Sequence, residues 1–552
     1  MPEEEYYKKF KEEADCYIDE IIKSDHPKKL ILAGPGSGKS ALFQKVCESN
    51  IQNGKTKNIV LSFINELVVD LKRDLEPKKL ARVSTLHSFA LKELRKTQAK
   101  DQGFFMRITD VISKDYEILN QNKVDLSETL CKLIDDQDKL EFYKNRRQYY
   151  KHFGPNCSIY TLIKYYEEDN SKIPEFDQLL VDEFQDFNKL EIKLIDLLSQ
   201  KSNLLIAGDD DQSLYSFRHA YPDEIRSRYK SDTHKNFELP FCFRCTKTIV
   251  SAFKNVVDEA KKKGLLKKRV DNKYEYFPTK EKDEKSNKNP KIVVKENVFD
   301  TNVAFHIDKN IQDIYEFGEA KFSVLVITPL PGQAIKIKTQ LYKKGFRNIQ
   351  TKYKDDGDSK EYFLDGLGLL LKDENCNLGW RIVAEYILNK KELKISIEKS
   401  HSSKSPFKEL IDKGHVQYVE SLLKIIKKIK ENIAVTEREC EKLFKAIGYN
   451  PNKITSEKLA DRLKDYFPKS DVYKDVPIKI TNILGSKGLT RDYVFLVNFD
   501  DKYLIGDKNN ITDEKICNFL VVLTRAKNRV YIFSQKVPTL AKWINNDLIE
   551  KT

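Results

Sequence analysis

Short apolar stretches that end in polar or glycine-rich residues recur along the first 220 residues of the chain. Between them, apolar positions recur at helical spacing, as in residues 3–23 and 66–75. Strands that alternate with helices in this way predict a parallel α/β sheet, and the polar strand ends then gather at one edge of that sheet. The stretches that begin as predicted strands are residues 30–40, 58–65, 83–89, 178–186 and 203–220.

Residues 91–174 interrupt this alternation. The stretch is charged, rich in tyrosine and periodic at helical spacing, without a clear strand pattern. It therefore predicts a helical insertion in the sheet domain. Its basic and aromatic side chains fit contact with a nucleic-acid strand, and they fit equally well a set of solvated helix faces with buried tyrosines.

The later half of the chain repeats the strand pattern. Residues 291–294, 322–327, 494–497 and 530–533 are strand-like, and residues 333–344 have the period of a helix. These elements predict a second sheet domain.

Two stretches of the later half are rich in charge. Residues 261–289 combine many charges with few apolar positions, which predicts a loop or a frayed helix. Residues 380–470 are helical in period and rich in lysine, and they predict a second, smaller helical insertion. The predicted fold class is therefore α/β, with two parallel-sheet domains that each carry a mainly helical insertion.

Composition narrows the class of protein. With 552 residues, the chain is long enough for several cores, and its net charge of +13 favours polyanionic partners such as nucleic acid. No long uncharged apolar run and no apolar leader is present in the sequence, so we expect a cytoplasmic protein with no membrane partner. The 9 cysteines are scattered and are expected to be reduced. Cys242 and Cys245 lack a second pair to complete a zinc site and are expected to pack around the residues between them.

The first predicted strand runs into a glycine-rich turn that opens a helix. Its spacing is that of a phosphate-binding P-loop, with Ala33 in the place that the first glycine usually takes. Backbone N–H groups in such a turn converge on phosphate oxygens, and the helix N-terminus adds partial positive charge. Lys39 is expected to reach the β- and γ-phosphates, and Ser40 to ligate Mg²⁺. The residues predicted to bind the nucleotide are Ala33, Gly34, Pro35, Gly36, Ser37, Gly38, Lys39 and Ser40.

A second strand end supplies acids that suit a P-loop. Residues 178–181 lead into Asp182 and Glu183, which is the Walker B arrangement. Asp182 is predicted to hold Mg²⁺, and Glu183 is predicted to orient or deprotonate the attacking water. The pair therefore predicts hydrolysis of a nucleoside triphosphate.

The stretch at residues 203–220 ends in a further polar tip. Gln212 is placed to sense the γ-phosphate, while Tyr215, Phe217 and Arg218 offer planar groups on which bases can stack. Aromatic residues two positions apart are also common in protein cores, so position alone leaves the stacking role open.

Taken together and in order, these segments resemble the motif set of the UvrD/Rep-like superfamily 1A DNA helicases. The order and spacing of the motifs extend over nearly the full chain. The matching stretches are residues 33–40 (motif I), 62–65 (Ia), 85–89, 181–186 (II), 208–220 (III), 239–246 (IV), 486–489 (V) and 520–526 (VI).

The resemblance implies further roles. Phe243 resembles the adenine-stacking residue, Arg244 and Arg525 resemble the two arginines that stabilise charge on the γ-phosphate, and Gly488 of motif V falls at the nucleotide. The positions at which the family contacts single-stranded DNA are here Phe63, Asn65, His87, Tyr215 and Phe217.

The sequence departs from the family pattern in two places. No glutamine precedes Gln44, whereas the family reads adenine with a glutamine ahead of the P-loop. In motif V the usual histidine is absent, and Thr490 stands where the family has a ribose-binding glutamate. Discrimination between nucleotides, and contacts to DNA and to the sugar, are expected to be weaker for these reasons.

The resemblance also implies a domain division with two RecA-like motor domains. The expected boundaries are residues 1–90 and 176–240 for motor domain 1A, 91–175 for its insertion 1B, 241–379 and 475–552 for motor domain 2A, and 380–474 for a reduced insertion 2B. No nuclease-like module is expected after motif VI.

The function that the resemblance implies is ATP hydrolysis, with Mg²⁺, coupled to 3′-to-5′ movement on single-stranded DNA or on DNA with a single-stranded tail. An alternative is a DNA-sensing ATPase subunit that unwinds little and acts with a separate nuclease. The compact helicase subunit of the Gabija anti-phage system is similar in plan. RNA in place of DNA stays open on chemistry alone, and a non-hydrolysing P-loop scaffold is disfavoured because the predicted catalytic residues are all present.

Overall fold

The computed structural model describes residues 3–63, 65–97, 101–212, 220–221, 223–319, 321–351, 353, 361–431, 433–447, 472–506 and 510–552. The chain divides into two compact units, each built from separate stretches of sequence. The first unit comprises Met1–Phe89, Tyr165–Lys354 and Ser470–Thr552, and the second comprises Ala90–Lys164 and Asp355–Lys469.

The strands of both units follow in chain order. They are β1 (Lys28–Ala33), β2 (Asn58–Ser62), β3 (Arg82–Thr85), β4 (Gly103–Phe104), β5 (His152–Phe153), β6 (Gln178–Val181), β7 (Asn203–Gly208), β8 (Lys235–Leu239), β9 (Phe241–Cys242), β10 (Glu275–Tyr276), β11 (Ile292–Lys295), β12 (Val324–Thr328), β13 (Ile349–Gln350), β14 (Ile478–Asn482), β15 (Arg491–Val497), β16 (Ala526–Phe533) and β17 (Ile549–Lys551).

The α-helices follow in the same way. They are α1 (Glu3–Lys23), α2 (Lys39–Gln52), α3 (Asn65–Leu75), α4 (Leu86–Leu94), α5 (Ile108–Asn120), α6 (Leu126–Cys131), α7 (Gln137–Tyr150), α8 (Pro155–Glu168), α9 (Lys189–Leu198), α10 (Asp223–Lys230), α11 (Lys247–Lys262), α12 (Lys280–Lys288), α13 (Val303–Glu316), α14 (Pro331–Lys343), α15 (Glu361–Lys372), α16 (Asn377–Ile387), α17 (Lys390–Ser402), α18 (Lys413–Lys430), α19 (Glu437–Ile447), α20 (Asp501–Leu504) and α21 (Asp513–Leu523).

The first unit contains a parallel sheet with the strand order β3-β2-β6-β7-β1-β8. Strands such as β2 and β6 are buried along their whole length, because helices cover both faces of a parallel sheet. The apolar runs of the sequence supply this burial. Since the strands are parallel, their carboxyl ends all meet at one edge, where ligands bind in such folds.

The same unit contains a second parallel sheet, with the order β13-β14-β12-β15-β16-β11-β17. Aromatic side chains fill part of its core, and the rings of Phe495 and Tyr531 stack with their centroids 4.5 Å apart. Helices α11 and α21 pack against the opposite face. The predicted α/β class with two parallel-sheet domains is confirmed.

The charged stretch at residues 261–289 is more ordered than its composition predicts. It ends in helix α12, and strand β10 pairs in parallel with β9. The chain from residue 264 to residue 277, which we call the strap, is irregular apart from β10. The strap lies in the first unit and contacts several of its motifs, as described below.

The second unit is mainly helical, with α5 to α7 and α15 to α19. It contains most of the stretches predicted as insertions 1B and 2B, together with residues 355–379 of the predicted motor domain 2A. At its centre the buried carboxylate of Asp115 accepts hydrogen bonds from Arg381 Nε and Arg146 Nη2, each at 2.6 Å, and from the Tyr150 hydroxyl. Burial opposes ionisation of Asp115, but the charges of Arg381 and Arg146 outweigh it and lower the pKa of Asp115. The four predicted domain boundaries stay predictions. Among the helices that the structure describes, none combines the length and the apolar character needed to cross a membrane.

Candidate nucleotide site

The glycine-rich turn lies where predicted, between β1 and α2. Gly36 and Gly38 have φ values of +72° and +87°, a left-handed backbone that glycine adopts without steric cost. Helix α2 begins at Lys39, so its N-terminal N–H groups face the turn. This geometry is that of an anion-binding turn at a helix N-terminus.

Lys39 lies among carboxylates at the carboxyl edge of the first sheet. Its Nζ atom lies 3.2 Å from Glu183 Oε1 and donates a hydrogen bond of 3.4 Å to the carbonyl of Ala33. Burial lowers the pKa of Lys39, but the charges of Glu183, Asp182 and Asp209 outweigh it, so the net shift is upward. Lys39 is therefore a fixed cation beside the P-loop.

Asp182 and Glu183 follow β6 directly and are both buried. Glu183 has a φ of +54°, and its N–H donates to Asp182 Oδ1 at 3.0 Å. Burial and the neighbouring charge of Glu183 raise the pKa of Asp182, whereas Lys39 and Lys487 lower the pKa of Glu183 in spite of its burial. Asp182 and the Ser40 hydroxyl line the same cavity, and such oxygen donors suit a hard divalent cation such as Mg²⁺.

Gln185 connects two strand ends, and sequence reasoning assigned it no role. Its Nε2 donates to Glu183 Oε2 at 2.7 Å, and its Oε1 accepts from the N–H of Asp209 at 3.0 Å. A Cβ atom at Gly208 would lie 2.6 Å from Gln185 Oε1, so only glycine admits this approach. The amide side chain thereby links the end of β6 to the end of β7.

Lys487 was also missed as a site residue, although it lies within the predicted motif V. It follows β14 of the second sheet, and its Nζ lies 2.5 Å from Asp186 Oδ2 and 3.8 Å from Glu183 Oε2. The pair with Asp186 is buried, with 2% and 0% of the two side chains exposed. The second sheet therefore contributes a cation to the acids of the first.

Two arginines complete the cationic surroundings. A Cβ atom at Gly36 would lie 2.5 Å from the Cβ of Arg244, so Arg244 lies directly against the P-loop. Arg525 is buried and donates from Nε to the carbonyl of Val521 at 3.0 Å. Burial and the nearby charge of Arg244 lower the pKa of Arg525 to about 10. An anion placed between the two guanidinium groups would relieve this repulsion.

These groups enclose a cavity of about 310 Å³. It contains a glycine-rich turn, acids for a cation and basic side chains from both sheets, which together suit a triphosphate with its metal ion. The lining residues are Pro35, Gly36, Ser37, Gly38, Lys39, Ser40, Asp182, Glu183, Phe243, Arg244, Gly488 and Arg525.

Phe243, predicted to stack on the base, lies at the rim of this cavity. Its ring is 40% exposed and contacts the ring of Phe277 at a centroid distance of 4.4 Å. Its N–H donates to the carbonyl of Gly36 at 2.9 Å, so the position of Phe243 is tied to the P-loop. An exposed aromatic ring beside a phosphate cradle can stack on a nucleobase.

The predicted DNA-binding residues that the structure describes lie at neighbouring strand ends of the first sheet. Phe63 follows β2 and packs edge-on against Phe187, with centroids 5.7 Å apart. His87 lies in α4 after β3, and its Nε2 is 3.3 Å from Glu191 Oε1. Tyr215, Phe217 and Arg218, and the side chains of Asn65 and Gln212, lie outside the described residues.

Comparisons with known proteins agree with this geometry. The family model described as an AAA domain matches residues 19–218. DNA helicase II of Haemophilus influenzae is 24% identical over 287 residues, which are 41% of this chain and 38% of that protein. ATP-dependent DNA helicase PcrA of Staphylococcus aureus is 26% identical over 300 residues, which are 45% of this chain and 40% of that protein. The match thus covers less than half of the length of these relatives.

Parallel sheets that end in a phosphate-binding turn define the class of P-loop proteins. Within that class, the order of the motifs and the matches above make the chain similar to the UvrD/Rep-like superfamily 1A helicases. The resemblance drawn from the motifs is confirmed.

Proposed function

We propose that this protein is an ATP-dependent DNA helicase or translocase that hydrolyses ATP in the cavity described above. The observation that carries the proposal is that side chains from both sheets line one cavity. Lys39 and Glu183 come from the first sheet, and Arg244 and Arg525 come from segments that adjoin the second sheet. These groups supply the phosphate contacts, the acid near the attacking water and the compensating charge that phosphoryl transfer to water requires.

Each side chain has a defined task in this proposal. Lys39 exchanges its contact with Glu183 for the β- and γ-phosphates, which frees Glu183 to orient or deprotonate water. Arg244 and Arg525 stabilise the charge that develops on the γ-phosphate. Gln212 is proposed to sense that phosphate, and Phe243 to stack on adenine.

Ser40 and Asp182 would hold Mg²⁺ in this site. The ion, when bound, neutralises charge on the phosphate oxygens. All other steps fall to the side chains of the protein.

The arrangement makes hydrolysis depend on the approach of the two sheets. Lys39 and Glu183 belong to the first sheet, whereas Arg525 immediately precedes β16 of the second and Arg244 precedes α11, which packs on it. Hydrolysis is then fast only when the two sheets approach each other, which can be converted into movement along a strand.

Single-stranded DNA is proposed to bind at the same edge of the first sheet. The proposed contacts are Phe63, Asn65, His87, Tyr215, Phe217 and Arg218, which combine planar groups for stacking with polar groups for the backbone. Movement from 3′ to 5′ is proposed from the family resemblance.

A strand-displacement assay tests this function. Duplexes with a 3′ tail, a 5′ tail or no tail are incubated with Mg²⁺ and ATP, and with a non-hydrolysable analogue as the control. We expect displacement on the 3′-tailed duplex with ATP alone. Displacement on the 5′-tailed duplex would contradict the polarity. ATP turnover without displacement on any duplex would contradict the helicase activity and indicate the sensor alternative.

A further inference from the structure

The strap of residues 264–277 contacts motifs I, III and IV and the helix that leads to motif VI, although it belongs to none of these motifs. Its first contact is with α21, the helix that leads to Arg525. There the N–H of Leu266 donates to Asp513 Oδ1 at 2.9 Å. The strap therefore begins at the helix that carries one of the two phosphate-facing arginines.

The middle of the strap is hydrogen-bonded to the turn that follows β7, where Asp210–Gln212 form a 3-10 turn. Arg269 Nε donates to both carboxylate oxygens of Asp211, at 2.7 and 2.6 Å, and both side chains are buried. The N–H of Val270 donates to Asp210 Oδ2 at 3.0 Å. Arg226 contacts the same carboxylate of Asp210 at 3.0 Å.

These contacts explain a buried acidic cluster. The carboxylates of Asp209, Asp210 and Asp211 lie within 4.8 Å of one another. Like charges that are buried so close together destabilise the fold unless nearby cations compensate them. Arg226 and Arg269 supply that compensation, so the turn depends on the strap for its electrostatic balance. The turn directly precedes the stretch that contains Tyr215 and Phe217.

The end of the strap supports the P-loop. Tyr274 is buried, and its hydroxyl donates to the carbonyl of Pro35 at 3.0 Å and lies 3.1 Å from Cys242 Sγ. A Cβ atom at Gly34 would lie 2.8 Å from the Tyr274 ring, so the ring contacts the P-loop backbone closely. Strand β10 then pairs with β9, immediately before Phe243 and Arg244.

We propose that Arg269 and Tyr274 are positioning residues that couple the turn after β7 to the nucleotide cavity through the strap. Neither residue lines the cavity. Tyr274 holds the Pro35 carbonyl, and Arg269 holds the Asp211 carboxylate, on one short segment. A displacement of the turn after β7 is therefore expected to move the strap and, through Tyr274, the P-loop. The inference rests on the proposed ATP site and assigns to it a route by which the turn after β7 affects nucleotide affinity.

The test measures nucleotide affinity in the absence of DNA, with a fluorescent ATP analogue and Mg²⁺. Tyr274→Phe removes only the hydroxyl, and Arg269→Gln removes the charge at the far end of the strap. We expect each to weaken nucleotide binding about threefold to tenfold. A merely local role of Arg269 in balancing Asp211 would lower thermal stability and leave nucleotide affinity unchanged.

Matched controls lie in the same segment. Lys268→Gln neutralises the neighbouring residue, whose side chain is 74% exposed, and Tyr276→Phe removes a hydroxyl that contacts Asp283 instead of the P-loop. Both are expected to bind nucleotide as the wild type does. Arg269→Lys keeps the charge but not the two-pronged contact, and it is expected to restore part of the affinity and to serve if Arg269→Gln does not fold.

The double variant Arg269→Gln/Tyr274→Phe decides whether the strap transmits the effect. Both changes release the same link. We therefore expect the affinity of the double variant for the ATP analogue to be at most about twofold lower than that of whichever single variant has the lower affinity. Multiplicative losses, or wild-type affinity in both Arg269 variants, would overturn the proposal. A wild-type protein that binds no nucleotide would instead contradict the proposed function itself.

Discussion

Glu183 lies between two lysines, since its carboxylate contacts Lys39 and lies near Lys487. Glu183→Gln keeps the shape of the side chain and removes its ability to take a proton. We expect kcat for ATP to fall about 100-fold or more, because general-base catalysis contributes roughly 10²–10⁴-fold. Steady-state ATP turnover measures this loss.

Glu175→Gln is the matched control for that change, since Glu175 is exposed and precedes the same strand β6 at its amino end. It is expected to hydrolyse ATP at the wild-type rate. Unchanged turnover in Glu183→Gln would remove Glu183 from the catalytic role.

The buried pair of Lys487 and Asp186 makes a separate prediction about stability. Burial raises the pKa of Asp186 to about 7 although the charge of Lys487 lowers it, so the carboxylate depends on Lys487 for its negative charge. Lys487→Met removes that cation, so Asp186 must either take up a proton or stay buried as an unpaired charge, and we expect the free energy of unfolding to fall by up to about 3–5 kcal/mol. Denaturant unfolding measures the change.

Adding Asp186→Asn to Lys487→Met should recover part of the lost stability, because the uncompensated charge is then removed as well. A double variant that is less stable than Lys487→Met alone would show that the pair is not what stabilises this site.

At the scale of single residues, the sequence predicts the site residues that directly follow a strand, but it does not predict those that come from distant parts of the chain. Lys39, Asp182 and Glu183 follow their strands directly, so position along the chain fixes their place at the sheet edge. Lys487 and Tyr274 lie 304 and 240 residues away from the Glu183 and Gly34 that they approach. Nothing local in the sequence specifies those contacts.

At the scale of elements, two glycines on either side of helix α2 separate two effects that a substitution usually mixes. Gly36 and Gly54 have similar φ values, +72° and +77°, but a Cβ atom would meet Arg244 at Gly36 and nothing within 4 Å at Gly54. Both changes to alanine should cost about 1–2 kcal/mol of stability from the left-handed backbone.

Only Gly36→Ala should weaken nucleotide binding, since only there does the added methyl group displace Arg244 from the P-loop. Isothermal titration with an ATP analogue measures the difference. Equal nucleotide affinity in the two variants would contradict the close packing of Arg244 on the P-loop.

Element boundaries were predicted well where the apolar period is strong and poorly where charge dominates. The strands that were predicted lie close to their observed positions because buried parallel strands require continuous apolar runs, whereas β8, β13, β14 and β17 were not predicted. In residues 261–289 the apolar positions are sparse, but they mark the contacts of the strap: Val270 lies at the turn after β7, Tyr274 at the P-loop and Phe277 at Phe243. Composition conceals this signal, since the flanking lysines and acids are solvated.

At the scale of the whole molecule, Asp115 joins two stretches that are far apart in sequence. It belongs to α5, whereas Arg381 belongs to α16, and both side chains are buried. Asp115→Asn leaves two buried arginines without their shared carboxylate, and we expect the second unit to lose about 3–5 kcal/mol. Hydrogen exchange should report faster exchange in α5 and α16 together.

The exposed Asp110→Asn, in the same helix, is the control and should leave exchange unchanged. Because the pKa of Asp115 is lowered in the folded state, its contribution is present at neutral pH and is lost as the pH falls below the ordinary range for a carboxyl group. Faster exchange confined to α5 would contradict the joint packing of the two stretches.

The proposed function requires that ATP hydrolysis in the cavity depend on a bound DNA strand. Steady-state ATP turnover with and without a single-stranded oligonucleotide tests it most directly, with Lys39→Ala as the inactive reference. We expect the oligonucleotide to raise turnover several-fold in the wild type and Lys39→Ala to abolish turnover under both conditions. Turnover that is the same with and without the oligonucleotide, or that persists in Lys39→Ala, would contradict the proposed function.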